Sequence, residues 1–239
     1  ALPIWDNMNG AQQGIFTSSD KHAAIFHGVF AILSVLALTL LPGIPVGIRM
    51  GILVLLYVAG LPVYAVVTRH PRWLDIWRFS LILSVFQVFP DMFLSAQLGI
   101  LVFAEDGIFH FGPVSGYMAG LWTIPFFIII YIGKRVEEVL DTRWSNGMVA
   151  LAALFLFGGS EFTMWAIPSW YATNLDVMIG PAAVYILVPE ILLGIAAYQA
   201  WRWSWYLSFF RQIAYAFLVM LFYLGSASWF YFVIERLLS

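Results

Sequence analysis

The sequence predicts an all-α integral membrane protein of seven transmembrane helices, with its N-terminus inside and its C-terminus outside. Three observations carry that reading. Of the 239 residues, 62% are hydrophobic and 10% charged, with mean hydropathy +0.90; soluble domains carry about 25% charged and 45–50% apolar residues. Apolar stretches near the roughly 20 residues that cross a bilayer recur seven times. Lysine and arginine then fall almost entirely on one side of the resulting arrangement. Helices are the expected form, because lipid offers no partner to free backbone groups.

The spans follow in order. Span 1 covers roughly 23–41 and span 2 roughly 48–68. Between them, Leu41-Pro42-Gly43-Ile44-Pro45 is a tight turn that forces an antiparallel hairpin. Residues 70–78 are basic and tryptophan-bearing, and read equally as an interfacial segment or as the first turns of span 3. Span 3 is placed at 79–103, span 4 at 116–133, span 5 at 147–167 before Pro168, span 6 at 179–200 and span 7 at 208–234. No internal repeat, low-complexity tract or linker interrupts the series, so residues 1–239 are expected to form a single domain.

Orientation comes from the charges. The N-terminal tail and the turns after spans 2, 4 and 6 hold Lys21, Arg69, Arg72, Arg78, Lys134, Arg135, Arg143, Arg202 and Arg211. The opposite side holds only Arg49 and Arg236. The side richer in Lys and Arg faces the cytoplasm. Glu137, Glu138 and Asp141 mix with Lys134 and Arg135 there, and read as a solvated loop. Two outward loops carry no positive charge: 104–115, with Glu105, Asp106 and His110, and 168–178, with Asp176.

Several function classes are excluded. A net charge of −2 without a basic run argues against nucleic acid as a partner. The absence of cysteine rules out disulfides, thiolate metal sites and a cysteine nucleophile. No glycine-rich phosphate loop, aspartate-rich magnesium motif or histidine box occurs, and no lysine lies deep in span 7, so no cofactor and no metal is expected. His27, near the inside end of span 1, is a candidate metal or haem ligand, but no other histidine stands at helical spacing from it inside a span. Residues 1–20 lack the basic and apolar regions of a signal peptide, so none is expected there.

Against this background three carboxylates stand out inside the spans: Asp91, Glu161 and Glu190. An ionisable group at such depth costs roughly 2.5–3.5 kcal/mol on insertion scales, so it turns to the bundle interior and marks a functional site. In span 3, Ser84, Gln87, Asp91 and Ser95 share one face by their helical spacing. Pro90 precedes the aspartate and removes a backbone hydrogen bond beside it. Span 5 offers Gly158, Glu161 and Trp165. Span 6 repeats the proline–acid step at Pro189-Glu190, with Ala183, Gly194 and Ala197 as small residues on the same face. The topology puts Asp91 and Glu190 near mid-membrane and Glu161 in the outer half. Trp122, Thr123 and Pro125 of span 4 and Tyr185 of span 6 reach a similar depth, which predicts an aromatic-lined cavity open or nearly open outward. Desolvation there favours neutral acids, which suits proton donation. Each carboxyl also has a structural reading, as a protonated group hydrogen-bonded across helices.

From Asp91 to Trp201 the order of motifs is similar to that of membrane carotenoid hydratases and small lycopene cyclases. The likeness rests on Asp91, Phe111-Gly112-Pro113, Trp122-Thr123-Ile124-Pro125, Glu161 with Trp165, Tyr185 and Pro189-Glu190, with Ile191 where those enzymes carry a second acid. The whole chain resembles more closely an uncharacterised family of seven-helix membrane proteins associated with cyanobacteria, for which the likeness implies no activity. The first resemblance implies carboxyl-mediated protonation of a long apolar isoprenoid, leading to cyclisation or hydration without a cofactor. Asp91, Glu161 and Glu190 would be catalytic, and Trp122, Trp165, Tyr185 and Gln87 would bind substrate. The expected setting is a bacterial plasma or thylakoid membrane, with lipid or isoprenoid as the partner. Two other readings stay open: a non-catalytic, pigment-binding subunit of a membrane complex or homo-oligomer, and a proton-coupled carrier.

Overall fold

A computed structural model describes residues 16–163 and 166–238. Helices dominate, and among the described residues seven are long and apolar enough to cross a membrane: Ser18–Leu40, Val46–Val67, Arg72–Gln97, Met118–Val139, Thr142–Thr163, Val184–Ser204 and Phe209–Leu237. The expected number of spans and the hairpin at 41–45 are therefore present, while most boundaries differ. Within these spans the helices are α1 (Ser18–Leu40), α2 (Val46–Val67), α3 (Arg72–Met92), α4 (Met118–Leu121), α5 (Thr123–Val139), α6 (Thr142–Ala153), α7 (Gly159–Thr163), α8 (Val184–Ser204) and α9 (Phe209–Phe232). Three of the spans contain a π turn, at Phe93–Gln97, Leu154–Gly158 and Val233–Leu237.

The helices alternate in direction between two ends. One, the basic end, gathers the turns after α2, α5 and α8. The other, the strand end, carries three short antiparallel pairs. Strand β1 (Leu101–Phe103) pairs with β4 (Trp170–Ala172), β2 (His110–Phe111) with β3 (Val114–Ser115), and β5 (Met178–Ile179) with β6 (Ala182–Ala183). The last two are hairpins of one design, each turning on Gly-Pro with the glycine at φ 59° and 58°. Each leads into a spanning helix, a local duplication that a search for longer repeats passes over.

These pairs explain the shifted boundaries. The sequence places span 3 at 79–103, but Leu101–Phe103 leave the helix to pair with β4. At the other end the helix begins at Arg72, so residues 72–78 are its first turns. Span 6 begins at Val184 because residues 178–183 form a hairpin, and span 5 ends at Thr163, before Pro168. Asp91 and Glu190 each lie six residues from the strand-end limit of their span, about 9 Å at 1.5 Å per residue. They belong to that half of the bundle and not to its middle. Glu161, two residues from the end of α7, is shallower still.

Helix α3 sits at the centre and packs on α5, α8 and α9. α8 also packs on α6, and Gly194 makes their close approach feasible: a Cβ there would lie 2.5 Å from that of Ala153. α1 is peripheral and buries only Ala23. Its start is fixed by a capping box, Thr17 accepting from the Asp20 N–H at 3.3 Å and Asp20 accepting from the Thr17 N–H at 2.7 Å. The Asp20 carboxylate also accepts from Arg135 Nε at 2.7 Å and from the Tyr131 hydroxyl at 2.8 Å, tying α1 to α5. The solvated loop expected around Lys134–Asp141 is instead mostly helix. Glu138 pairs with Lys134, Arg135 and Arg72, and Glu137 accepts from the Tyr198 hydroxyl and pairs with Arg202. Asp141 caps α6 through the amides of Arg143 and Trp144.

The end of α2 is unusual. His70 N–H bonds the carbonyl of Ala65 and Arg69 N–H that of Val66, a Schellman closure whose left-handed position, φ 61°, is filled by arginine instead of glycine. The left-handed conformation costs an L-residue about 1–2 kcal/mol. Arg69→Gly is therefore expected to raise stability by about 1 kcal/mol, seen as a higher thermal midpoint. A lower midpoint would mean that the arginine side chain contributes more than its backbone costs.

Candidate functional site

Asp91, Glu161 and Glu190 line one cavity of about 260 Å³ at the strand-end half of the bundle. They arrive there on three elements: α3, α7 and α8. Asp91 and Glu190 are 3% and 4% exposed, while Glu161 is half-buried. The walls are apolar and aromatic, with Trp122, Phe157, Tyr185 and Tyr223 among them. The Trp122 ring lies 5.3 Å from Phe157 and 6.2 Å from Tyr223. Its indole N–H donates to Asp91 Oδ2 at 3.3 Å. Oε2 of Glu190 is buried and has no hydrogen-bond partner among the described residues.

The cavity is roofed. Leu101 and Phe103 of β1 and Trp170 and Ala172 of β4 line it from the strand end, so the paired strands cover the opening that the sequence places outward. At its side, Leu121, Ile124 and Pro125 of the α4–α5 segment, Leu156 just before α7 and Ser160 in it are only half-buried. The π turn Leu154–Gly158 lies along this side, and such turns frequently accompany functional sites.

The candidate residues divide as follows. Asp91, Glu161, Glu190, Trp122 and Tyr185 come together around the cavity. Gln87 is fully buried one turn below Asp91 but is not among the lining residues. Trp165 lies outside the described residues. Tyr223 of α9 and Phe157 of the π turn are members that sequence reading missed, since a Tyr or Phe in an aromatic-rich span carries no distinguishing signal. Pro90 and Pro189 sit inside α3 and α8 just before the acids, as the sequence suggests.

His27 is not a metal ligand in this arrangement. Its Nδ1 lies 2.8 Å from the carbonyl of Ala23 and its Nε2 lies 2.9 Å from the Tyr57 hydroxyl. A carbonyl only accepts, so Nδ1 carries the proton and Nε2 accepts from Tyr57. Among the described residues no group of three His, Asp or Glu side chains is placed to hold a metal.

The sequence puts Asp106 in an outward loop without positive charge; the structure buries it there. It accepts from Ser115 Oγ at 2.6 Å and from the Ile108 N–H at 3.2 Å, and lies 3.3 Å from His110 Nε2. Beside it the hydroxyls of Tyr117 and Ser169 are hydrogen-bonded, and burial pushes the Tyr117 phenol up to about 12.

No curated protein and no solved structure matches the chain. A family model, described as a domain of unknown function (DUF6989), matches residues 88–234. That stretch contains every residue lining the cavity and leaves out α1 and α2. With more than half of its length matched, the chain belongs to the DUF6989 family.

Proposed function

We propose that the protein is a membrane-embedded enzyme that protonates a double bond of a long apolar isoprenoid, carotenoid-like in character, and steers the cation to cyclisation or hydration. The observation that carries this reading is the convergence of three carboxyls from separate helices on one apolar, aromatic-walled cavity. The chemistry follows from that setting. A carboxylic acid O–H of Asp91 or Glu190 adds its proton to the less substituted carbon of the double bond and leaves a tertiary carbocation. The faces of Trp122, Tyr185 and Tyr223 stabilise the positive charge. In cyclisation, a neighbouring double bond attacks the cation and a carboxylate removes the proton that the ring cation loses. In hydration, water attacks instead and gives its extra proton to the carboxylate. Either way the acid is regenerated and no cofactor is consumed.

Size and access support an end group as the reacting part. Small-molecule sites usually measure about 300–1,000 Å³, so about 260 Å³ holds one end of such a chain and not its length. The remainder would lie in lipid through the half-buried side between α5 and α7. In this reading the basic end faces the cytoplasm, the strand end faces outward, and the N-terminus is inside and the C-terminus outside. The likeness to the cyanobacterial family favours a bacterial plasma or thylakoid membrane.

Absorbance and mass spectrometry of the organic extract of purified protein, against a matched membrane control, test the reading. A specifically enriched isoprenoid is expected. An extract holding only ordinary membrane lipid would overturn it.

A further inference from the structure

The central helices of the bundle hold a series of buried polar atoms that no group among the described residues satisfies. Ser80, Ser84 and Gln87 on α3, Thr123 on α5, and Glu190, Trp201 and Ser204 on α8 each bury a side-chain N or O without a hydrogen-bond partner among the described residues. All seven residues are at least nine-tenths buried. α3, α5 and α8 pack on one another, and all seven residues lie on these three helices. Gln87 is the sharpest case, since neither its amide oxygen nor its amide nitrogen is bonded. Other helical hydroxyls in this protein turn back to the carbonyl four residues earlier, as Thr39, Thr68 and Ser228 do. Ser80 and Ser84 do not. Buried polar side chains nearly always have a partner, and where protein supplies none an ordered water does.

The spacing fits water. Ser80, Ser84, Gln87 and Asp91 follow one another by four, three and four residues down one face of α3. Such neighbours stand about 5–6 Å apart, which one water spans with two hydrogen bonds of about 2.8 Å each. From Ser80 to Asp91 the stripe covers roughly 16 Å. Two residues beyond Ser80, toward the basic end, Arg78 belongs to a continuous polar link. Gln212 Nε2 donates to the Ser204 carbonyl at 3.2 Å, Arg78 Nε donates to Gln212 Oε1 at 3.0 Å, and Arg78 also pairs with Asp75 at 3.2 Å. Asp75 and Trp201 line a hollow open at that end, together with Arg72 and Arg202.

We propose that the buried faces of α3, α5 and α8 hold a file of water that carries protons between the cavity carboxyls and the basic end. Each step breaks one O–H bond as the next forms, so a proton leaving Asp91 or Glu190 appears as hydronium in the hollow lined by Asp75, and no electron moves. The side chains of Ser80, Ser84 and Gln87 act as positioning residues that hold the file. The relay does not depend on what the cavity acids act upon.

Protein reconstituted in lipid nanodiscs without substrate tests this, so its outcome is independent of turnover. X-ray hydroxyl-radical labelling reads buried water directly. Relative to the intrinsic reactivity of each side chain, Leu83, fully buried beside the stripe, should be oxidised well above Tyr57, which is equally buried away from it. Infrared spectroscopy then follows H/D exchange of the carboxylic acid bands, assigned with Asp91→Asn and Glu190→Gln. In Ser84→Ala/Gln87→Leu the exchange should slow about tenfold, the factor given by about 1.4 kcal/mol of added barrier. If the double variant does not fold, Ser84→Ala alone, which deletes one hydroxyl, should still slow it measurably. Labelling of Leu83 no higher than Tyr57 on that relative scale, exchange at the wild-type rate in a folded variant, or the absence of any carboxylic acid band would each overturn the proposal.

Discussion

Asp91→Asn is expected to lower turnover of a cavity-bound isoprenoid by about 10²–10⁴-fold, the usual contribution of a positioned general acid, and to leave the fold intact. Asparagine matches aspartate in volume, and its side-chain oxygen can still accept from the Trp122 indole N–H now bonded to Asp91. Only the transferable proton is lost. Glu190→Gln should behave in the same way, because Glu190 is as deeply buried and lines the same cavity. Glu161→Gln should cost less, since Glu161 is half-buried near the end of α7, where water can substitute for it. The measurement is product formation in cells that make the polyene, with thermal midpoints of the purified variants as the control for folding. If all three amides turned over substrate at the wild-type rate, protonation by these carboxyls would be wrong. If Glu161→Gln alone were inactive, the acid would sit at the side of the cavity and not at its base.

Much of this site is legible in the sequence for a definite reason. Lipid imposes a length on each helix and a heavy penalty on each embedded charge, so the spans and the three acids announce themselves. The proline–acid steps at 90–91 and 189–190 do so as well. Depth is harder to read, because the window that finds apolar stretches cannot separate helix from strand. Leu101–Phe103 are as apolar as the helix before them, yet they pair with residues 170–172, about seventy positions away. Gly112-Pro113 and Gly180-Pro181 are the available turn signals. Tyr223 is illegible because hydropathy alone does not say which aromatic of α9 faces inward. Asp106 is illegible for the opposite reason: a carboxylate in a polar loop looks solvated, and only the folded loop shows that Ser115 and the loop's own backbone enclose it.

Asp106 therefore supplies the largest expected effect on stability. Its main-chain carbonyl accepts from the Gly47 N–H at 2.8 Å and so caps the start of α2, where Pro45 offers no side-chain cap. Its carboxyl holds Ser115 of β3 and lies 3.5 Å from the hydroxyl of Ser169, the residue before β4. One residue thus fastens α2 through its main-chain carbonyl, and a hairpin and the roof strand that carries Trp170 through its side chain. Asp106→Ala would leave the Ser115 hydroxyl and the Ile108 amide without their acceptor, and should cost about 3 kcal/mol, the upper range for a hydrogen bond to a charged group. Gly47→Ala should strain the same contact from the other side: a Cβ at position 47 would run into the Asp106 carboxyl group, and overpacking of this kind costs roughly 1–3 kcal/mol. The two changes must couple, since the atoms that the added methyl group would strike are the ones Asp106→Ala removes. The double variant should therefore be less destabilised than the sum of the singles, by about 1 kcal/mol or more. Additive losses in chemical denaturation, or an Asp106→Ala cost within about 0.5 kcal/mol of zero as for an ordinary surface site, would show that the roof is held by its strands and not by this residue.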